Sequence, residues 1–457
     1  MSSSSGPGDR VAAAVRNLPA GVSADARVVR EVWTTIRFAN GRITQPHFES
    51  ALRVSFRTAE DQRIATATTA NLTPEGVASV AATSRALARV APREAKFRGF
   101  PTDSAPRPAK VAFSRATSAL GPEGATRIAE RILAAAAAAV PGARIAGAVN
   151  VGTESWRVVN SEGLDRSTAS SVAQASVLVD RPEKESPVSG WAEAAHWDAA
   201  RIDADGLGRE AAERMARSAP VAVRPGAYRV VLRGPAVSEL LQFLSVLGFG
   251  GLAEDQGYSC LRRQRGRRIA PSAVRLVDDP RSREGLPCAI DYEGVATRAT
   301  PLIDRGIAGL PATDSILGPR LGRRPSGHAL PPEAPVGEVG PIPTPLLLAP
   351  GDASEQELVR STKRGLLVTR FHYVRTVDPG RAILTGMTRD GTYRIERGEI
   401  AGPARNLRFT ESILAALKGI ELLGRTRSRH ASERGGIAAT CPAVLTRSFR
   451  FTSATLF

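Results

Sequence analysis

The N-terminal half of the chain alternates between strand-like and helix-like patterns of apolar and polar positions. Apolar residues at every second position predict strands at 28–41, 42–45, 52–57, 143–151, 154–160 and 168–179. Asn40-Gly41 is typical of a tight hairpin turn between the first two strands. Helical spacing predicts helices from Thr73 to just before Pro92, at 122–140 and at 207–218. Thr73 can cap the first of these helices, and Pro74 suits its first turn.

The pattern of apolar and polar positions changes near Pro225-Gly226, where the C-terminal half begins. Short β-like runs separated by Gly and Pro occur at 228–232, 273–277, 366–373, 381–389, 392–396 and 443–452. Helices are predicted at 235–247 and 409–422, and the Pro-rich segment 331–345 is predicted to be a loop. The pattern therefore predicts an α+β protein with a polar leader (1–24), an N-terminal α/β domain (25–222) and a C-terminal antiparallel or barrel-like β domain (223–457).

The formal net charge of +17 raises the question of nucleic-acid binding. Almost all of the basic residues are arginine, which together with abundant Ala and Gly points to a GC-rich codon bias. Aromatic residues make up only 5% of the chain and provide few stacking platforms. The one dense basic run consists of Arg262, Arg263, Arg265, Arg267 and Arg268. We expect it to be a solvated loop, with binding of an acidic partner or peptide as the alternative, and nucleic acid is not an expected partner.

Cysteine content and the absence of targeting patterns indicate the compartment. The three cysteines, Cys260, Cys288 and Cys441, are an odd number, form no CxxC pair and fit a reducing environment. The first residues lack the apolar core of a signal peptide. The longest apolar stretches, 132–140 and 240–252, are shorter than the ~20 residues that a membrane-spanning helix needs. These features predict a cytoplasmic protein with no membrane partner.

Short motifs in a fixed order carry a resemblance that extends over nearly the whole chain. They are Arg37-Phe38-Ala39-Asn40, Thr69-Ala70-Asn71-Leu72-Thr73, Val159-Asn160-Ser161-Glu162-Gly163, Asp278-Asp279-Pro280, Asp291-Tyr292-Glu293-Gly294, Thr388-Arg389-Asp390-Gly391 and Arg408-Phe409-Thr410-Glu411-Ser412. In this order they resemble the TldD/PmbA family of peptidase-complex subunits. The resemblance implies an N-terminal α/β domain and a C-terminal domain built on a twisted antiparallel β-barrel, in agreement with the pattern.

The resemblance also identifies the segment that would correspond to the family's metal site. Catalytic members carry an HExxxH helix whose two histidines, with a later cysteine, bind zinc. Zinc of this kind needs three protein ligands and an open position for water, and the glutamate takes a proton from that water. Here the segment reads Ser238-Glu239-Leu240-Leu241-Gln242-Phe243, so that Ser238 and Phe243 replace the histidines. Glu239 is a weak candidate for a base and is expected to face solvent. Cys441 is a weak candidate for a ligand.

Three other polar residues are weaker candidates for a catalytic role. Asp291 and Glu293 are two positions apart and would share one face of a strand, as paired carboxylates for acid–base work would. Because the motif occurs in both subunit types of the family that the chain resembles, we expect a structural role instead. His328 follows Ser326-Gly327 and is expected to be a polar surface residue.

These observations favour one functional hypothesis over two others. The resemblance implies a non-zinc-binding subunit similar to TldE/PmbA, which pairs with a zinc-bearing TldD-like subunit in proteolysis of unfolded or short peptides. No cofactor is then expected in this chain, and zinc is expected in the partner. The first alternative is a self-sufficient metallopeptidase or peptide-modifying enzyme. The second is a binding protein that modulates a nucleic-acid enzyme.

Overall fold

The computed structural model describes residues 6–102, 107–181, 188–215, 218–331, 340–432 and 436–455. The helices are α1 (Pro7–Arg16), α2 (Pro74–Val90), α3 (Arg115–Ser118), α4 (Gly121–Ala139), α5 (Ala204–Arg214), α6 (Gly234–Phe249), α7 (Gly251–Asp255), α8 (Leu317–Arg320), α9 (Glu355–Arg360) and α10 (Ile413–Lys418). The N-terminal strands are β1 (Val22–Ala39), β2 (Arg42–Glu60), β3 (Arg63–Thr69), β4 (Arg144–Asn160), β5 (Asp165–Arg181) and β6 (Val188–His196). The C-terminal strands are β7 (Gly226–Leu232), β8 (Leu276–Asp278), β9 (Thr300–Asp304), β10 (Ile307–Ala308), β11 (Pro345–Leu348), β12 (Arg364–Asp378), β13 (Ile383–Glu396), β14 (Glu399–Pro403), β15 (Leu407–Ser412), β16 (Ile420–Ala431) and β17 (Ala438–Ala454).

A six-stranded antiparallel sheet organises the N-terminal part, in the order β3-β2-β1-β4-β5-β6. The predicted turn joins β1 to β2, where Asn40 and Gly41 have φ values of 52° and 74°. These left-handed conformations cost little for Asn and Gly, which explains the dipeptide. Helix α2 begins as predicted, because the Thr73 hydroxyl accepts a hydrogen bond from the Gly76 N–H at 3.1 Å.

Alternation along β1 divides its side chains between two environments. Ala26 and Ile36, at even positions, are fully buried in apolar clusters that include residues of α1, α2, α4 and α5. Odd positions such as Glu31 and Trp33 point to the opposite face, toward the C-terminal part of the chain. One face of the sheet is therefore a conventional core, and the other is available for a site.

A mixed sheet of eleven strands organises the C-terminal part. Its main path runs β10-β9-β8-β11-β17-β15-β13-β12-β7, and β17 also pairs with β7, so that five of the strands form a closed ring. Most pairings are antiparallel, but β7–β12 and β11–β17 are parallel. The predicted α+β class with an antiparallel, barrel-like C-terminal sheet is confirmed in its ring-like arrangement, and the structure adds these two parallel pairings.

Several predicted elements differ from the observed ones. The predicted leader contains α1, whose Val11 is fully buried on the sheet. The predicted strands at 143–151 and 154–160 form one strand, β4, and β6 was not predicted. The predicted helix at 409–422 is wrong, because the segment divides into the end of β15, the six-residue α10 and the start of β16. Pairing of Phe409 with Gly386 in β13 outweighs local helical spacing there. Residues 332–339 of the predicted Pro-rich loop lie outside the described residues.

Helix α6 is the central helix of the C-terminal part. It was predicted at 235–247 and is observed at Gly234–Phe249, with a proline in its first turn. Eleven of its residues are buried, so the helix is apolar on nearly all sides, as expected of a helix enclosed in a core. In the described part of the chain, no helix is both long enough and apolar enough to cross a membrane.

Candidate functional site

The degenerate metal motif lies on α6, at the boundary between the core and a cavity. Ser238 is 2% exposed, and its hydroxyl accepts a hydrogen bond from Nε2 of Gln242 at 3.0 Å. Phe243, five residues further along, is half-buried and lines the cavity together with Gln242. The two positions that the resemblance assigns to histidines thus hold an internally bonded hydroxyl and a phenyl ring, neither of which is a zinc ligand.

Cys441 on β17 lies beside the start of α6 but does not complete a metal site. Its side chain is fully buried, and its Sγ donates a hydrogen bond to the carbonyl oxygen of Gly234 at 3.3 Å. Burial raises the pKa of this thiol, so the sulfur remains protonated. Within the described ranges, no three His, Cys, Asp or Glu side chains converge as metal ligands. The residues at this position do not fit a zinc ion.

Glu239 does not face solvent, and that expectation is wrong. The side chain is half-buried, because α6 packs against strands β7, β12, β16 and β17 of the C-terminal sheet. Burial raises the pKa of its carboxyl group, and the negative charge of Glu193 raises it further, while Arg370 and Arg375 act in the opposite direction. Glu239 is not among the residues that line the cavity.

A cavity of about 940 Å³ lies between the N-terminal sheet and the C-terminal part of the chain. Its first wall, called here the sheet wall, consists of residues on β1, β2, β4 and β5. Its second wall includes residues of α6, of the loop segments 286–292 and 327–331, and of the segments 342–345 and 436–438. The volume lies in the range of ligand-binding pockets. The cavity therefore lies between α6, which carries the degenerate metal motif, and one face of the N-terminal sheet.

Strand register determines which side chains the sheet wall presents. Glu31 on β1 lies directly opposite Glu154 on β4, and Trp33 lies opposite Gly152. The Tyr292 hydroxyl donates a hydrogen bond to Glu154 Oε1, and the Tyr292 ring stacks on Trp156 with a centroid distance of 4.5 Å. Burial raises the pKa of Glu154 to about 7. Sequence analysis missed this group, although period-2 alternation places two of its members, Glu154 and Trp156, on one face.

His328 is not a surface residue, contrary to expectation. It is 7% exposed and lines the cavity. Its Nδ1 lies 2.8 Å from Oγ of Ser326, and its Nε2 lies 2.9 Å from Oδ2 of Asp278. The Ser326 hydroxyl also accepts a hydrogen bond from the Thr313 N–H at 2.7 Å. The hydroxyl is thus engaged in holding two loops together, which favours a structural role for all three side chains.

Asp291 and Glu293 each make separate contacts with the surrounding chain. Asp291 Oδ1 accepts hydrogen bonds from the N–H groups of Glu293 and Val295, at 2.9 and 2.8 Å, and so stabilises a tight turn. Glu293 points away and meets Arg57 of the N-terminal sheet, with 2.8 Å between its Oε1 and the guanidinium nitrogen. It also accepts a hydrogen bond from the Ser315 N–H at 2.8 Å. These contacts favour the structural role that the sequence indicated.

The Arg57–Glu293 ion pair belongs to a buried charge network that crosses between the two parts of the chain. Arg57 Nε donates to Asp25 Oδ1 at 3.0 Å, and Arg27 lies 3.2 Å from the same oxygen. Burial alone would raise the pKa of Asp25, but the two guanidinium groups lower it below its ordinary value. Asp25, Arg27 and Glu293 are each at most 2% exposed. Of these network residues, only Glu293 was considered from the sequence, and it was considered beside Asp291 and not beside Arg57.

The basic run divides into solvated and structural arginines. Arg262, Arg263, Arg267 and Arg268 are exposed, as expected. Arg265 is not: its guanidinium donates to the carbonyl oxygen of Gly248 at 2.6 Å and pairs with Glu254 at 2.7 Å. It therefore stabilises the end of α6 and the following segment. None of the five arginines lines the cavity.

A second histidine cluster lies near the start of α6. His430 is 5% exposed, with its Nδ1 2.8 Å from Oε1 of Glu193 and its Nε2 2.7 Å from Oγ of Ser428. A side-chain carbon on Gly234 would lie 2.5 Å from the same Nε2, so the helix start is closely packed against the cluster. The sequence offered only one signal, the two-residue spacing of Ser428 and His430 on one strand face.

Two solved structures share this fold over nearly the whole chain. A candidate modulator of a DNA gyrase from Thermotoga maritima MSB8 matches with a TM-score of 0.84 and 19% identity, over 98% of this chain and 99% of that one. TldE from Thermococcus kodakarensis also matches with a TM-score of 0.84, at 18% identity, over 94% of this chain and 97% of that one. The fold is therefore that of the TldD/TldE-like proteins.

Comparison with models of protein families identifies the family of this chain. Models of PmbA/TldA metallopeptidase domain 1, of the central domain and of the C-terminal domain match residues 24–88, 116–219 and 225–453. The chain belongs to the PmbA/TldD metallopeptidase family. A relative from Methanothermobacter thermautotrophicus, described as a metalloprotease, is 27% identical over 230 residues. That match covers 49% of this chain and 49% of the relative, so the chain spans about half the length of the curated relative.

Proposed function

We propose that this chain is a metal-free, TldE-like subunit of a cytoplasmic peptidase complex, paired with a zinc-bearing TldD-like subunit. The observation that carries the proposal is the pair Ser238 and Phe243 on α6, which replaces the two imidazole ligands of the family's catalytic members. Zinc hydrolysis needs three ligands that hold the ion and leave one position for water. The chain therefore contributes surface and shape, and its partner contributes the metal chemistry.

The surroundings of α6 support the same role. Cys441, the remaining counterpart of a family ligand, is protonated and hydrogen-bonded to a backbone carbonyl. The cavity beside Phe243 is large enough for a segment of peptide and presents both apolar and polar groups. Unfolded or short peptides are the substrates that the family resemblance implies. The chain would receive such peptides next to the partner's catalytic centre.

Metal analysis of the isolated chain tests the first half of the proposal. Protein purified without chelators should contain far less than one zinc per chain, because no group of ligands for the ion is found among the described residues. Cys441→Ser should leave this low content unchanged, and Cys260→Ser, another buried cysteine, is the matched control. One full equivalent of zinc that is lost in Cys441→Ser but kept in Cys260→Ser would refute the metal-free role.

Co-purification and a substitution on α6 test the second half. The tagged chain, isolated from its own cells, should carry a zinc-bearing homologue in a constant ratio. Glu239→Gln should change the peptidase activity of that complex by no more than about twofold, because Ser238 and Phe243 replace the imidazoles that would hold a metal-bound water beside this carboxyl group. A loss of ~100-fold, the usual effect of removing a general base, would identify this chain as the catalytic one.

A further inference from the structure

The sheet wall of the cavity holds two carboxylates in a costly arrangement. Glu31 and Glu154 are direct cross-strand partners on β1 and β4, and both point into the cavity. Like charges directly opposite each other in an antiparallel sheet are destabilising. Arg53, on the adjacent β2, forms an ion pair with Glu31. One guanidinium group thus neutralises one of two adjacent carboxylates.

Among the residues that the structure describes, Glu154 has a hydrogen-bond donor but forms no ion pair. The contact that the structure gives it is the hydroxyl of Tyr292, which satisfies one oxygen without supplying positive charge. Burial raises the pKa of Glu154 to about 7, and Glu31 adds to that effect. Tyr292 and Arg53 lower it in part. A positive charge placed between the two carboxylates would remove the repulsion and stabilise the ionised form of Glu154.

Aromatic rings border the same two carboxylates. Trp156, two positions after Glu154 on the same strand face, stacks on Tyr292 with an interplanar angle of 6°. Two positions before Glu154, the Trp33 ring lies over Gly152, where a side-chain carbon would be only 2.4 Å from the indole. Lysine and arginine side chains are stabilised by aromatic faces as well as by carboxylates. The arrangement suits an organic cation with an apolar stem.

We propose that this wall binds a cationic group of a peptide, namely a lysine or arginine side chain or an amino terminus, against Glu154 and Glu31. The peptide nature of the ligand rests on the proposed function, while the charge preference rests on the sheet wall alone. A bare divalent cation fits less well, because in the described residues no three acidic, His or Cys side chains converge as ligands. Small hard cations such as Ca²⁺ and Mg²⁺ are bound by oxygen ligands, which the aromatic rings do not supply.

Calorimetric titration of the isolated chain with short blocked peptides tests the charge preference. The two probes are an acetylated, amidated tripeptide with a central arginine and the same peptide with citrulline, which has nearly the same shape but no charge. We expect the arginine peptide to bind about tenfold more tightly. Glu154→Gln should reduce this preference to about twofold or less. Glu162→Gln, in the exposed turn between β4 and β5, is the matched control and should keep it.

Several results would overturn the proposal. These are equal affinity for both peptides, no measurable binding of either, or an unchanged preference in Glu154→Gln. Binding of Ca²⁺ or Zn²⁺ alone that disappears in the same variant would reassign the wall to a metal ion. If Glu154→Gln fails to fold by circular dichroism, Glu31→Gln tests the second carboxylate, with the same loss of preference expected. Because no partner or metal is present in the titration, its outcome is independent of whether the chain is a metal-free subunit.

Discussion

Replacing Glu293 by alanine should reveal how strongly the two parts of the chain are coupled. Glu293, in the C-terminal part, pairs with Arg57 of the N-terminal sheet at 2.8 Å and accepts a hydrogen bond from the Ser315 N–H. The Glu293 side chain is 2% exposed and that of Arg57 is 11% exposed, so water screens this pair poorly. Glu293→Ala would leave the guanidinium with Asp25 alone and Ser315 without its acceptor.

The expected loss follows from the contacts that disappear. Removing one partner of a buried ion pair costs about 3–5 kcal/mol, since the remaining charge stays desolvated. A buried N–H without an acceptor costs about 1–3 kcal/mol, although local rearrangement recovers part of it. Retention of the Arg57–Asp25 contact offsets some of the total. We therefore expect Glu293→Ala to lower the free energy of unfolding by about 3–5 kcal/mol.

Urea unfolding followed by circular dichroism and tryptophan fluorescence would measure this loss. Glu293→Gln keeps a hydrogen-bond acceptor but loses the charge, and it should cost less than Glu293→Ala. Glu399→Ala, at an exposed strand position, is the control and should change stability by no more than about 0.5 kcal/mol. A loss below about 1 kcal/mol for Glu293→Ala would refute the view that this buried pair couples the two parts.

Three further predictions follow from other contacts and are measured by equilibrium unfolding. Burial, with Arg429 nearby, lowers the pKa of His196 to about 4, so the native state should lose stability as pH falls from about 6.5 to about 4, and His196→Gln should remove that loss. Arg265→Met should cost about 3 kcal/mol, whereas Arg263→Met, its exposed neighbour in the same run, should cost about 0.5 kcal/mol or less. Ser354→Ala should cost about 1 kcal/mol, because it removes the capping box of α9.

Each of these predictions has a contrary outcome. A pH profile that is the same for His196→Gln and the unaltered chain would show that another group governs acid stability. Equal effects of Arg265→Met and Arg263→Met would mean that the bond to Gly248 contributes nothing. A silent Ser354→Ala would show that tertiary contacts alone hold α9 in place.

Sequence signals predicted the structure correctly where a few neighbouring residues determine the backbone conformation. Asn40-Gly41 was predicted as a turn and Thr73 as a helix cap, because both depend on the backbone preferences of a few neighbouring residues. The extent of α6 was predicted to within two residues at its C-terminal end, since its apolar run and Pro235 mark it. The loss of both histidines at Ser238 and Phe243 is likewise a property of the sequence.

Contacts between residues far apart in the sequence determined the features that the sequence pattern did not predict. The segment at 409–422 is helical in pattern, yet pairing with β13 converts its start into a strand. Arg265 looks like its exposed neighbours in the sequence, but folding brings it to Glu254 and the end of α6. Side-chain chemistry at such positions depends on what the fold places beside them, and local propensity does not contain that information.

The degenerate metal motif on α6 and the carboxylates of the sheet wall show the same difference between what the sequence determines and what the fold determines. The sequence by itself determined that α6 lacks the imidazoles a zinc site needs, because ligand identity is a property of the residues. Only the tertiary structure decided that Glu31 and Glu154 lie side by side on the wall of a cavity. The two residues are far apart along the chain, and the antiparallel register of β1 and β4 brings them together.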